Sequence, residues 1–236
     1  MSYLQRTEML LGQEGLARLQ GATVCLFGLG GVGGACFEAL VRMGVGTIHV
    51  VDADEFNETN LNRQILSTRD NLGKKKVDVA EERAKQINPQ ARIVKHPIFY
   101  LPESAGELDF GSLDFVVDAI DTVSAKVDII KRCQESGVPM VSCLGCGNRL
   151  DPSKLVIKDL FQTTDDPLAK VMRKKCRELG VKQLRVVCSM EKPIVPKFHV
   201  ESDSPTRRDV PGSAAMVPPA AGYLLAYEAV RVLLGM

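Results

Sequence analysis

Gly28-Leu29-Gly30-Gly31-Val32-Gly33 stands between an apolar run at 22–27 and a helical pattern from about 31 to 43. In that setting a G-x-G-x-x-G turn bares backbone amides at a helix N-terminus, where they can meet a phosphate. Asp52 lies 19 residues past Gly33 and ends a second apolar run, 47–52. A carboxylate there accepts hydrogen bonds from ribose hydroxyls. These residues specify a nucleotide and leave NAD and ATP open. The stretch 57–76 separates the two, because Asn60, Arg63 and Gln64 follow the ribose-binding acid and Lys76 stands thirteen residues beyond Arg63. A dehydrogenase has no evident use for such cations. An enzyme attacking the α-phosphate of ATP does, since charge develops on the phosphoryl oxygens and pyrophosphate must leave. The competing reading is a solvated basic loop with Lys74, Lys75 and Lys76 as an exposed helix start. Asp118 and Asp121, in VVDAIDT, fall at the carboxyl end of a further strand, where open α/β sheets bind ligands. Either could hold Mg²⁺ through oxygen, or Asp121 could cap the following helix.

These residues need a scaffold of alternating elements. Strands are expected at 22–27, 47–52, 92–96, 113–121 and 138–143, with helices at 31–43, 74–87 and 124–136 between them. Asn88-Pro89 stops the second helix. Such alternation predicts an α/β fold, a Rossmann-like, doubly wound, mainly parallel sheet, because parallel strands need crossover helices. Beyond Gly147 the pattern loosens into a C-terminal strand, loop and helix extension: strands at 155–160 and 185–189, a helix at 167–179, and a closing helix at 220–234. Six prolines and little periodicity make 192–219 a long loop. The expected division is an ATP-binding, adenylating domain at 1–150 and an extension at 151–236 packed on the same sheet.

Composition bounds the rest. Of 236 residues, 45% are hydrophobic and 25% charged, which excludes wholesale disorder, collagen and a coiled-coil rod. The formal net charge of +1 means that nucleic-acid binding would need a local basic patch. Seven irregularly spaced cysteines, with Cys25 and Cys36 in apolar runs, argue for a reducing compartment. The N-terminus has no signal-peptide pattern and no stretch approaches the roughly 20 apolar residues of a membrane span. A cytoplasmic protein without a membrane role is expected.

RTEMLLGQEGLARL, GLGGVGG, DADEFNETNLNRQI, GKKKVDVAEERAKQINP and VVDAIDT resemble the adenylating domain of the ubiquitin-activating-enzyme-like (ThiF/MoeB/HesA) family. Within it the chain is most similar to the tRNA threonylcarbamoyladenosine dehydratases, through RTE, DAIDTVSAK, DPLAKVMRKK and GSAAMVPPAAGYLLAYEAVRVLLG. The likeness spans nearly the whole chain and is weakest at 192–211. It implies ATP- and Mg²⁺-dependent adenylation of the threonine carboxyl of N6-threonylcarbamoyladenosine in tRNA, followed by ring closure and release of AMP. It assigns Gly28, Gly30, Gly31 and Gly33 to the phosphates, Asp52 to the ribose, and Asn60, Arg63 and Lys76 to the triphosphate. Asp54 and Gln64 fall beside them, and Asp121 would hold Mg²⁺. Arg6 matches an arginine that reaches the ATP of a neighbouring subunit, so a homodimer is implied. A sulfur-relay partner is left open. The alternative is an adenylyltransferase that activates the C-terminal glycine of a ubiquitin-like sulfur-carrier protein with the same site.

Departures from the family pattern matter. Many sulfur-carrier activators bind zinc through two CxxC pairs, since four thiolates close a tetrahedral site. This chain has one pair, Cys143 and Cys146, so zinc is not expected. Cys188 is the nearest candidate for a covalent thioester, but RVVCS reads as a buried strand. Some dehydratases carry a hydrophobic C-terminal extension suited to a membrane; none is read up to Met236, so that location is not expected. Lys170, Arg173, Lys174, Lys175, Arg177, Lys182 and Arg185 oppose Glu178 alone, a local excess of six positive charges suited to tRNA phosphates. Arg207 and Arg208 could add to it, and an ordinary solvated helix face is the competing reading.

Overall fold

A strand apolar on both faces cannot meet water on either, and Thr23–Phe27 accordingly runs through the middle of a sheet. The computed structural model describes residues 2–103, 108–164, 166–200 and 210–236. Within them seven strands form one sheet: β1 (Thr23–Phe27), β2 (Thr47–Val51), β3 (Arg92–His96), β4 (Phe115–Asp118), β5 (Met140–Cys143), β6 (Leu155–Asp159) and β7 (Arg185–Ser189). Their order is β3-β2-β1-β4-β5-β7-β6. Every pairing is parallel except β6 with β7, which is antiparallel, with Leu155 opposite Ser189. The expected mainly parallel α/β sheet is found. Its antiparallel edge carries Lys158 and Asp159, charges that discourage a further strand from joining.

Six helices among the described residues cover it: α1 (Gln5–Gly21), α2 (Gly31–Arg42), α3 (Lys76–Ile87), α4 (Val123–Ser136), α5 (Pro167–Glu178) and α6 (Val217–Leu233). Strand alternation divides the core. Val24 and Leu26 enter an apolar layer with α2, α3 and α6, whereas Cys25 and Phe27 enter one with α4. A third cluster joins Met172 and Cys176 of α5 to Val186 and Cys188 of β7. Each fully buried Phe or Leu in these layers stabilises the fold by about 1.5–3 kcal/mol.

Three elements differ from the sequence reading by more than two residues. The first is β4, expected at 113–121 and found at Phe115–Asp118, so that Asp121 falls in the turn after it. The N-terminal segment is a helix, kinked at Gly12 (φ 69°), and its weak apolar pattern reflects Leu19 as its one buried residue. The closing helix starts at Val217 instead of 220, because Pro218 and Pro219 occupy first-turn positions whose N–H groups need no partner. That helix presses into α2: a Cβ on Gly222 would lie 2.2 Å from the Val32 carbonyl oxygen. No helix among the described residues is long and apolar enough to cross a membrane.

Buried carboxylates tie these layers together. Glu38 of α2 accepts from Arg42 and from Arg83 of α3. Glu228 of α6, 1% exposed, accepts from Arg231 at 2.9 Å and from Arg185 of β7 at 3.0 Å. The Arg231 bond, helped by Arg185, holds the Glu228 carboxyl below its ordinary pKa despite burial. A lowered folded-state pKa gives stability present above the unfolded value and lost as pH falls through the folded one. Glu228→Gln should therefore cost about 1–3 kcal/mol in urea unfolding at neutral pH. The gap from the parent should narrow below about pH 4; a gap constant to pH 3 would sink this account.

Candidate active site

The chain passes from β1 outward to β2 and β3, then returns to β4 on the other side of β1. The strand order thus reverses between β1 and β4, which opens a crevice at their carboxyl ends. The glycine turn lies there. Gly28 (φ 90°) has no room for a side chain, because a Cβ would lie 2.9 Å from the Ala119 carbonyl oxygen of the β4–α4 turn. A Cβ on Gly33 would lie 1.8 Å from the Gly28 carbonyl oxygen, so α2 can meet β1 at this distance only through glycine. Gly30 is the α2 N-cap, with open space beside it and no acidic residue in the helix's first turn. Gly31 faces Pro218 of α6 and Arg63. The helix N-terminus therefore points unsatisfied amides into space, an arrangement that suits an anion.

Asp52 follows β2 and shares this corner. Its carboxylate accepts from the Leu29 N–H at 2.7 Å and the Asp54 N–H at 2.8 Å. Burial raises its pKa, against the pull of Lys76 and of those two amides. Lys76, 5% exposed, begins α3 and reaches Asp54 Oδ2 at 2.7 Å and Asp52 Oδ2 at 3.9 Å. A short antiparallel bridge, Glu55 to Lys75, brings the two together and closes residues 57–72 into a loop. The reading of Lys76 as an exposed helix start is thereby overturned, though Lys74 and Lys75 are exposed.

The loop is built by its own polar groups. Buried Asn60 uses Oδ1 to accept from the Asn57 N–H at 3.2 Å. Arg63, half-buried, donates through Nη1 to the Thr59 carbonyl and Asn62 Oδ1, both at 2.8 Å. Gln64 is buried, and its Oε1 has no partner among the described residues. A buried acceptor left unsatisfied is costly and marks a place where a donor fits.

The two aspartates after β4 separate cleanly. Asp118 is fully buried: Oδ2 accepts from Lys126 Nζ at 2.9 Å and Ser142 Oγ at 2.6 Å, and Oδ1 from the Ile120 N–H at 3.3 Å. It is committed to that network and is set aside as a metal ligand. Asp121 is exposed in the β4–α4 turn, and the α4 N-cap is Thr122, so Asp121 is not the helix cap. A single exposed carboxylate can take part in holding Mg²⁺ only together with substrate oxygens, since Mg²⁺ takes one or two carboxylates plus substrate phosphates. Among the described residues no group of three or more His, Cys, Asp and Glu is placed to hold a metal.

Other expected residues lie apart. Arg6 is exposed on α1. Leu4, just before it, packs at Gly44 between α2 and β2, at the amino end of the strands and opposite the crevice. On α5, Lys170 and Lys174 are exposed and make no ion pair among the described residues, while Lys175 pairs with Glu178 at 3.0 Å. Arg177 lies 5.5 Å from the Phe161 ring centroid, and Arg173 bonds to the Thr163 carbonyl and hydroxyl, so these two hold structure together. Arg207 and Arg208 lie outside the described residues. Cys188 is 2% exposed, and burial raises its pKa, which makes it a core thiol.

Sequence reasoning missed Lys126, whose signal was a lysine on the apolar stripe of α4 with Ile130 and Cys133. It also missed the docking of the long loop. Asn148 (φ 57°) exchanges bonds with Gly212 at 2.7 Å and accepts from the Ile194 N–H at 2.8 Å, and Asn62 donates to the Ser213 carbonyl at 2.9 Å.

The ThiF family model matches residues 4–236. A tRNA threonylcarbamoyladenosine dehydratase of Bacillus subtilis (strain 168) is 38% identical, over 97% of this chain and 93% of that one. Its counterpart in Escherichia coli (strain K12) is 33% identical over 95% and 91%. A crystal structure of the E. coli tRNA N6-threonylcarbamoyladenosine dehydratase in complex with ATP superposes with a TM-score of 0.88 at 32% identity, covering 99% of this chain and 94% of that one.

Replacing Lys126 by Met would strand the buried Asp118 carboxylate and should cost about 3–5 kcal/mol in denaturant unfolding. Adding Asp118→Asn should recover part of that loss. Losses that simply add would show that the two side chains are not coupled.

Proposed function

The chain belongs to the ThiF family, and from that premise we propose that it is an ATP-dependent dehydratase acting on N6-threonylcarbamoyladenosine in tRNA. The observation that carries this reading is the end-to-end correspondence, 97% of this chain against 93% of a dehydratase. The open α2 N-terminus beside Asp52 and Lys76 supports it chemically.

ATP lies with its phosphates on the amides of the glycine turn and its ribose hydroxyls on Asp52, whose oxygens keep lone pairs beyond the two amide bonds. A carboxylate oxygen of the threonyl group attacks the α-phosphorus, and pyrophosphate departs. Lys76 releases Asp54 to meet the phosphate oxygens as charge builds on them, and Arg63 turns from its carbonyl partners to do the same. Gln64 presents its buried acceptor to a nucleotide donor. Asp121 would hold Mg²⁺, which when bound neutralises phosphate charge. The acyl-adenylate is then attacked from within the same modified nucleoside, the ring closes, and AMP carries away one carboxyl oxygen, so the tRNA is lighter by one water.

Arg6 lies too far round the molecule to complete its own site, and we assign it to the site of a second copy, which makes a homodimer part of the reading. The cytoplasm, where tRNA and ATP meet, is its assigned compartment. Exposed Lys170, Lys174 and Lys175 on α5 offer the tRNA a cationic face.

The test is a digest of N6-threonylcarbamoyladenosine-bearing tRNA, incubated with the protein, ATP and Mg²⁺ and analysed by mass spectrometry under conditions that preserve the ring. The expected result is ATP-dependent loss of one water from the nucleoside, abolished in Lys76→Ala protein that still binds ATP. An unchanged nucleoside, with pyrophosphate exchange that requires a small carrier protein, would transfer the site to carrier activation. Separately, Lys170→Glu combined with Lys174→Glu should weaken tRNA binding by tenfold or more (about 1.4 kcal/mol) and flatten its salt dependence while sparing ATP. Unaltered tRNA affinity would return α5 to a plain solvated face.

A further inference from the structure

Cys143 and Cys146 stand apart from the other cysteines. Cys143 ends β5 and Cys146 follows in the next turn, half-buried, and their sulfurs lie 3.5 Å apart. The turn is anchored by the Leu144 N–H to the Val187 carbonyl at 2.9 Å, and both sulfurs face the Leu144 carbonyl, at 3.3 and 3.7 Å. Arg149, three residues on, is 3% exposed, yet its Nε and Nη1 have no hydrogen-bond partner among the described residues. A guanidinium stays charged, so one buried with open donors calls for an anion beside it. The Cys146 sulfur lies within electrostatic reach of that guanidinium. A hydrogen bond from Cys143 lowers the Cys146 pKa, with Lys126 and Arg149 assisting against burial and Asp166. The same bond, reinforced by burial, raises that of Cys143. One sulfur is thus disposed to attack and the other keeps its proton.

We propose that Cys143 and Cys146 are a redox-active dithiol which a hydroperoxide converts to an intramolecular disulfide, and that this disulfide weakens the nucleotide site beside it. The second half rests on the adenylating reading of that site. The Cys146 thiolate attacks one peroxide oxygen, the O–O bond breaks, and with one proton taken up the other oxygen leaves as water, giving a sulfenic acid. The Cys143 sulfur then attacks the Cys146 sulfur, the S–O bond breaks, and the hydroxyl leaves with the Cys143 proton as a second water. Two thiols and one hydrogen peroxide become a disulfide and two waters.

The link to the nucleotide site is short. A disulfide brings the sulfurs to about 2.05 Å and must draw the end of β5 towards the turn. The Cys143 carbonyl accepts from Lys126 Nζ at 2.8 Å, and the same ammonium bonds to Asp118 at 2.9 Å. Asp118 leads into Ala119 and Ile120, of which Ala119 lies against both Gly28 and Gly33 and Ile120 against Gly28.

The full chain, reduced and then exposed to hydrogen peroxide, would be denatured, alkylated, digested and weighed. The expected result is a peptide holding both cysteines that is lighter by two hydrogens, escapes alkylation, and regains both thiols with dithiothreitol. Calorimetric ATP affinity should fall about fivefold or more on oxidation and recover on reduction. Cys146→Ser protein should keep its ATP affinity under the same treatment. Full alkylation of both sulfurs, after a treatment that oxidises exposed Met9, overturns the dithiol. A disulfide with unchanged ATP affinity overturns its coupling to the site. A reduced protein that binds no ATP overturns the adenylating reading and the coupling together, and the mass measurement then judges the dithiol alone.

Discussion

Helix α2 is held at a distance that only missing side chains permit. On one side Gly33 lets it close on the Gly28 carbonyl, and on the other Gly222 lets α6 close on the Val32 carbonyl. Both approaches are shorter than any Cβ could tolerate, so the helix is wedged between β1 and α6 with little freedom to slide. Its N-terminus therefore stands at a fixed height over the β1–β4 crevice. The Asp52 bond to the Leu29 amide then ties the end of β2 to the same turn. The glycine turn and Asp52 take their relative position from this wedge.

A second constraint is electrostatic. The structure sinks a full ion pair, Asp118 with Lys126, beneath the crevice and satisfies it with Ser142 and the Cys143 carbonyl. Desolvating two charges offsets most of their attraction, so such a pair adds little net stability. It does fix geometry, because each atom has one place to go. The neighbouring β4–α4 turn, which carries exposed Asp121, is thereby tethered at its root.

The middle of the sheet was readable because β1, β4 and β5 are buried on both faces and so appear as short apolar runs, and because Asn88-Pro89 stops α3 where the pattern says. The glycine turn and Asp52 were readable as neighbours because one strand–helix–strand unit brings them together, whereas Lys76 reaches them through the Glu55–Lys75 bridge, which only the family resemblance anticipated. What escaped was long-range. Nothing near Lys126 in sequence names Asp118 or Ser142 as its partners, and a lysine on an apolar stripe looks the same whether it snorkels to water or pairs inside. Asn60 and Arg173 looked like ligands because their types are right, and the fold employs them first as local braces. The N-terminal helix was missed because its packing surface is one buried leucine and a kink.

The position of α6 bears on how the protein is made. It covers α2, β4, β5 and β6, and its residues Val217, Ala221, Leu225 and Ala229 are buried in the largest apolar layer. During synthesis the first five strands can pair long before residues 217–233 leave the ribosome. Throughout that interval one face of the nascent sheet lacks its cover, and Gly31 to Arg42 lacks the helix that wedges it. A nascent chain in this state exposes a surface suited to aggregation or to a chaperone. Docking of α6 is thus the step that ends the sheet's dependence on such protection.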